Sequence, residues 1–176
     1  MRYAEGPSTE RETAVAAPPE RVWSLVTDIA LPCAHSPELQ RVEWLPPATE
    51  PVEGARFAGF NRHPRIGEWR TVSQVVEVKP ESAFAWAVLD VDGRFGPPMR
   101  DAAAPMALWR FALEPRDGGT LVRQSVRLGP GPSGLSVVID RMPEREEMLV
   151  AHRIEELATG MEAVLEGLRV RAETGG

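Results

Sequence analysis

Two periodicities divide the chain. Through residue 128 apolar and polar positions mostly alternate with the period of two that strands show, whereas beyond residue 143 the apolar positions recur every 3.6 residues. The alternation predicts strands over residues 9–17, 41–45, 55–62, 69–79, 84–91, 107–114 and 120–128. From residue 55 onward these form an antiparallel meander, whose joints carry turn chemistry in Lys79-Pro80-Glu81-Ser82 and Pro115-Arg116-Asp117-Gly118-Gly119. The long joint at 92–105, rich in Gly, Pro and Ala, is the piece expected to be most flexible. After the first strand, Pro18 and Pro19 stand where a first helical turn accepts proline, Glu20 suits its positive end, and Val22, Trp23, Leu25, Val26 and Ile29 supply an apolar face. Pro32 ends that helix, and a second short helical turn is expected over 32–39.

At 100° per residue, Val150, Ile154, Leu157, Met161, Val164, Leu165 and Leu168 fall in one stripe about 100° wide. The helix this predicts, over 143–172, is about 45 Å long. Glu144, Glu146 and Glu147 near its start and Arg169 and Arg171 near its end complement its dipole. Only a sheet offers a surface broad enough to bury such a stripe, so the class is α+β.

Composition narrows the function. A length of 176 residues without repeats or linkers suits one domain, 1–176, with its core over about 9–173. With 20 basic and 26 acidic side chains the net charge is −6, which gives no electrostatic footprint for nucleic acid. Cys33 is the single cysteine and cannot close an intramolecular disulfide. No segment is apolar enough to span a bilayer, and the first residues lack the core of a secretory signal, so no membrane insertion and a cytoplasmic location are expected.

The order strand, short helices, six antiparallel strands, long terminal helix is the helix-grip arrangement, a curved sheet of six to seven strands wrapped around the last helix. Residues 17–28, Ala17-Pro18-Pro19-Glu20-Arg21-Val22-Trp23-Ser24-Leu25-Val26-Thr27-Asp28, resemble the opening of the SRPBCC (START-like, birch-pollen-allergen-like) superfamily. Gly54-Ala55-Arg56-Phe57, Val76-Glu77-Val78-Lys79-Pro80, Phe84-Ala85-Trp86 and the run Trp109 to Pro115 followed by Gly118-Gly119-Thr120 continue the likeness, which is greatest to the polyketide cyclase/dehydratase-like branch. The resemblance implies a hydrophobic-ligand pocket between sheet and terminal helix, no cofactor, and a monomer or homodimer. It does not by itself imply catalysis.

Strand parity proposes which residues face that pocket. Even positions are assigned inward on 69–79 (Val72, Gln74, Val76, Val78) and on 120–128 (Val122, Gln124, Val126, Leu128), leaving Thr71, Ser73 and Glu77 to solvent. The same reasoning turns Phe57, Gly59, Asn61, Phe84, Trp86, Val88, Trp109, Phe111, Leu113, Val42 and Trp44 inward. The candidate ligand-binding set is Trp44, Phe57, Asn61, Val72, Gln74, Val76, Trp86, Trp109, Phe111, Gln124, Leu157 and Met161. Gln74, Gln124 and Asn61 either orient a ligand or are satisfied within the core, and the tryptophans either line a pocket or simply pack. Gly160 and Gly167 lie on one flank of the terminal helix, where they allow close approach or are tolerated at an edge. Arg153 flanks the stripe too and either meets an anionic group at the cavity mouth or snorkels to solvent.

Three signals are set aside. Gly129-Pro130-Gly131-Pro132-Ser133-Gly134 matches G-x-G-x-x-G, but two prolines remove phosphate-binding N–H groups and no parallel crossover precedes it, so it reads as a turn. His35, His63 and His152 have no metal-site spacing. No nucleophile elbow or paired inward acids are present; His63 and Arg62, at a strand end, are the candidate ionisable groups for catalysis. The function expected is binding of a small hydrophobic or aromatic, polyketide- or lipid-like molecule, and the alternative is an aromatase/cyclase or dehydratase acting on one.

Overall fold

The computed structural model describes residues 1–175. Strand β1 (Ser8–Val15) is followed by helix α1 (Pro19–Val26), a 3₁₀ turn (Leu31–Ala34), β2 (Leu39–Trp44), β3 (Arg56–His63), β4 (Gly67–Lys79), β5 (Ala83–Leu89), β6 (Ala107–Arg116), β7 (Gly119–Leu128), α2 (Gly134–Arg141) and α3 (Glu146–Glu173). Neighbouring strands pair antiparallel in the order β1-β7-β6-β5-β4-β3-β2. The chain therefore meanders from β2 to β7 and only β1 joins out of order, closing against β7.

Local chemistry sets the elements. Proline occupies the first turn of α1, where no N–H is needed, and Val22 and Val26, one turn apart, are its buried face. Ser133 and Ser136 cap α2 reciprocally, each hydroxyl accepting from the other's backbone N–H at 3.3 and 2.8 Å. Pro143 opens a 3₁₀ turn, and α3 starts at Glu146, three residues later than the apolar period suggests. Its 28 residues span about 42 Å.

Helix α3 lies on the concave face of the sheet. The apolar stripe is buried at Val150, Leu157, Met161, Val164, Leu165 and Leu168, with Ile154 half-buried beside it. Two cores result. Val164, Leu165, Leu168 and Ala172 pack with Val22, Val26, Phe84, Phe111 and Val122 under the C-terminal half of the helix. Val150, Leu157 and Met161 pack with Tyr3, Val126, Leu128 and Ile139 under its N-terminal half. Arg21 donates to the carbonyls of Ala172 and Arg171 at 2.5 and 3.0 Å, occupying acceptors that the helix end leaves open.

The connection at 92–105 is stitched down. Asp90 is 1% exposed, and its carboxylate accepts from the N–H groups of Arg94 and Phe95 at 3.0 and 2.7 Å. Residues 129–134 form a turn into α2, and a Cβ on Gly131 would stand 2.2 Å from Met99 Cε and 2.6 Å from the Ala104 carbonyl. That glycine admits the connection. Among the described residues no helix is long and apolar enough to cross a membrane.

Candidate ligand cavity

Between the two cores the sheet and α3 part, leaving a half-open cavity with ≈ 220 Å³ of water-accessible space. Its floor is aromatic. Trp86 and Trp109 are cross-strand partners on β5 and β6, with ring planes 10° apart and centroids 6.3 Å apart. Phe84 and Phe111 form the next row, and Phe57 tilts against Trp86 from the far side. Leu157, Gly160, Met161 and Val164 of α3 make the roof. Ile66, from the β3–β4 hairpin, and Phe95, from the connection after β5, close one end, Phe95 lying edge-on to Trp69 at 6.3 Å.

Of the candidate ligand-binding set, Phe57, Asn61, Trp86, Trp109, Phe111, Gln124, Leu157 and Met161 line this cavity. Trp44 does not; half-buried, it packs edge-on to Phe57 at 5.6 Å against the core. Val72, Gln74 and Val76 are placed elsewhere, because the parity of β4 is opposite to the expected one. Val76 is an extra residue between Val75, which pairs with Trp86, and Glu77, which pairs with Ala85. Before this bulge the odd positions point inward, so Trp69, Thr71 and Ser73 line the cavity; after it the parity flips and Val78 packs against the core. Gln74 is on the convex face, where its Oε1 accepts from Arg56 at 2.8 and 3.0 Å. Val72 is buried on that same face and Val76 is exposed.

The rim was not visible in the alternation. Glu38, Arg153 and Glu156 all line the cavity. Arg153 grips the Glu38 carboxylate with both amino groups, Nη2 to Oε2 at 2.9 Å, and reaches Glu156 Oε2 at 3.3 Å. Glu156 Oε1 in turn lies 2.8 Å from Arg65 Nη2, 3.1 Å from His152 Nε2 and 3.6 Å from His63 Nε2. Burial opposes ionisation of Glu156, but the hydrogen bond and charge of Arg153, with the charges of His152 and His63, outweigh it and hold the carboxyl below its usual range. Burial likewise opposes the charge on Arg153, and Glu38 and then Glu156 overcome it, raising its pKa. Arg153 and Glu156 are thus both held in their charged forms.

His63 stands behind Glu156, its Nδ1 accepting from the Arg65 N–H at 3.2 Å, and is not part of the cavity wall. Arg62 is exposed, 3.9 Å from Glu68, away from the cavity. Glu38, His63 and Glu156 bring potential ligand atoms within 4.8 Å of one another. Arg153 bridges the two carboxylates, so a cation there would have to displace a guanidinium.

A seven-residue spacing on α3 builds this rim. Arg153, Gly160 and Gly167 meet, in turn, Glu38, Pro37 and His35 of the segment leading into β2. A Cβ on Gly167 would lie 2.2 Å from His35 Nε2, whereas one on Gly160 would make an ordinary 3.7 Å contact with Pro37. The close approach those glycines permit is therefore that of residues 35–38. The spacing 153, 160, 167 is the trace of the rim that the sequence carried.

A seven-stranded antiparallel sheet gripping a long terminal helix over an aromatic cavity is the helix-grip α+β fold. The chain belongs to the polyketide cyclase/dehydrase and lipid transport family, whose model matches residues 7–173. It is similar to a solved polyketide-cyclase-like protein of Corynebacterium glutamicum, with 26% identity, coverage of 92% of this chain and 88% of that one, and a TM-score of 0.61. The di-domain ARO/CYC BexL from the BE-7585A biosynthetic pathway shares the fold at 15% identity and a TM-score of 0.66; the match covers 95% of this chain and 50% of BexL. Ara h 8.0201 shares it at 14% identity and a TM-score of 0.50, with 91% and 98% of the two chains covered. No curated protein has a matching sequence.

Proposed function

We propose that the chain binds a small hydrophobic or aromatic molecule, polyketide- or lipid-like, in the cavity beneath α3. The observation that carries this reading is the parallel pair Trp86 and Trp109 lining open space. Apolar surface left uncovered forfeits about 25 cal/mol per Å², and a flat ring or acyl chain laid over the two indoles recovers it. Apolar walls with a few placed polar groups, here Asn61, Thr71, Ser73 and Gln124, are what small-molecule sites use. The family's description, which joins cyclase/dehydrase and lipid transport, supports the same class of ligand.

Thermal-shift and native mass-spectrometric screening with hydroxylated polycyclic aromatics and fatty acids tests it. Saturation at one hundred times Kd stabilises the fold by about 2.7 kcal/mol. Absence of both a mass adduct and a thermal shift with every apolar class would overturn the reading.

A second reading, cyclase or dehydratase action on such a ligand, is favoured by the charged rim. Arg153 sets a guanidinium on a rim that it shares with the carboxylates of Glu38 and Glu156, where its N–H groups can stabilise an enolate oxygen as a folded poly-ketone closes. Arg153→Met is then expected to lower turnover of a competent substrate by about 10²-fold or more while leaving binding of aromatic hydrocarbons unchanged. Unaltered turnover in that variant would remove Arg153 from the chemistry.

A further inference from the structure

Gln124 is 3% exposed, sits on the inward face of β7 and forms part of the cavity wall, yet its Oε1 has no hydrogen-bond partner. Among the described residues no other buried side-chain nitrogen or oxygen is left so. No neighbour supplies a donor. Its cross-strand partner on β6 is Phe111, and its partner on β1, Arg11, donates instead to Glu162 of α3 at 2.7 Å. The other amide on the wall is engaged: Asn61 Nδ2 donates to the Gly59 carbonyl at 3.3 Å and toward Thr71 Oγ1 at 3.4 Å. Buried acceptors in folded proteins are nearly always paired, so an orphaned one in a cavity wall marks a place where something else supplies the donor.

We propose that Gln124 recognises a hydrogen-bond donor on the ligand, a phenolic or enolic hydroxyl on a planar apolar body that lies over Trp86 and Trp109. This rests on the binding reading above and adds the polar identity of the guest. Gln124 shares its row of the sheet with Phe111 and Phe84, where the cavity meets the solid core, so the hydroxyl enters first and deepest. A hydroxyl satisfies the carbonyl; an ether or quinone oxygen only accepts and cannot; a hydrocarbon does neither. The site therefore selects hydroxylated aromatics over alkylated or fully oxidised ones of equal size.

Calorimetric titration of the full chain with 1-naphthol, 1-methoxynaphthalene and 1-methylnaphthalene tests this. The wild type is expected to bind the naphthol on the order of tenfold more tightly than either isostere. In Gln124→Leu the preference is expected to vanish, methylnaphthalene binding at least as well as naphthol. That variant is also expected to melt higher than wild type, since it removes an unpaired carbonyl from an apolar setting, and a melting curve without ligand reads this independently. Equal binding of all three by the wild type, or methoxynaphthalene matching naphthol, overturns the donor requirement while leaving the binding reading intact. Failure of all three to bind strikes the binding reading itself.

Discussion

Arg153 on α3 and Glu38 at the head of β2 face each other across the cavity rim, joined by two hydrogen bonds and only 19% and 20% exposed. A pair this enclosed behaves unlike a surface ion pair, because removing one partner strands the other. Arg153→Met leaves Glu38 and Glu156 confronting each other and is expected to cost about 2–4 kcal/mol, whereas Glu38→Gln leaves Arg153 with Glu156 and costs about 1–2 kcal/mol. Urea unfolding of both variants and of the double mutant checks this. Values below about 0.5 kcal/mol for both would place the pair with ordinary solvated ones.

The two glycines of α3 are expected to respond oppositely to alanine. Gly160→Ala gains about 0.5–1 kcal/mol in helix propensity against an ordinary contact with Pro37. Gly167→Ala drives a methyl into the His35 ring and is expected to destabilise by about 1–3 kcal/mol. Adding His35→Ala to Gly167→Ala is expected to restore most of the loss in denaturant midpoint. A stabilised Gly167→Ala would show that the His35 ring is not seated there.

Asp90 holds the connection that carries Phe95 to the cavity. Asp90→Ala removes two charge-assisted hydrogen bonds, and the amides of Arg94 and Phe95 are expected to exchange with solvent 10–100 times faster, an increase of about 1.4–2.7 kcal/mol in the ease of opening. Amides within β5 should keep their protection. Unchanged exchange at both loop amides would locate the restraint elsewhere.

Glu77 on β4 receives a hydrogen bond from Arg110 at 2.7 Å and an ion pair from Lys79 at 2.7 Å. Arg110 foremost, then Lys79, pulls its pKa from 4.5 down to about 2. A carboxyl depressed in the folded state contributes stability in full above 4.5 and loses it as the pH falls towards 2. Glu77→Gln is therefore expected to lower the Tm at pH 7 and to converge on the wild type near pH 2. Parallel Tm curves across that window would contradict the assignment.

Much of the architecture was legible because most strands keep one parity. On β7, Val122, Gln124 and Val126 alternate with Arg123 and Ser125, and on β6 Trp109, Phe111 and Leu113 do the same, so the floor of the cavity follows from spacing alone. On β4 the alternation misleads. Its even residues Val72, Gln74 and Val76 look like an inner face, but the connection after β5 returns across the convex side, where the Arg100 carbonyl accepts from Arg56 beside Gln74, and Val72 is buried on that side. Which of two apolar-looking faces is inner depends on that long-range cover and on a bulge that no local signal announces. Of the rim, Arg153 was read as a flank residue able to reach the cavity mouth, but Glu38 and Glu156 escaped, because charge in a loop or on a helix flank looks the same whether it faces water or a cavity.

The placement of the five tryptophans supplies the most direct test of a ligand beneath α3. Trp69, Trp86 and Trp109 line the cavity, while Trp23 and Trp44 pack half-buried against the core outside its wall. Nitrogen-edited NMR of the indole N–H signals during titration with 1-naphthol is expected to move the resonances of Trp69, Trp86 and Trp109 saturably and to leave those of Trp23 and Trp44 nearly in place. Saturable shifts confined to Trp23 and Trp44, or five signals that never move, would contradict a guest held between sheet and helix.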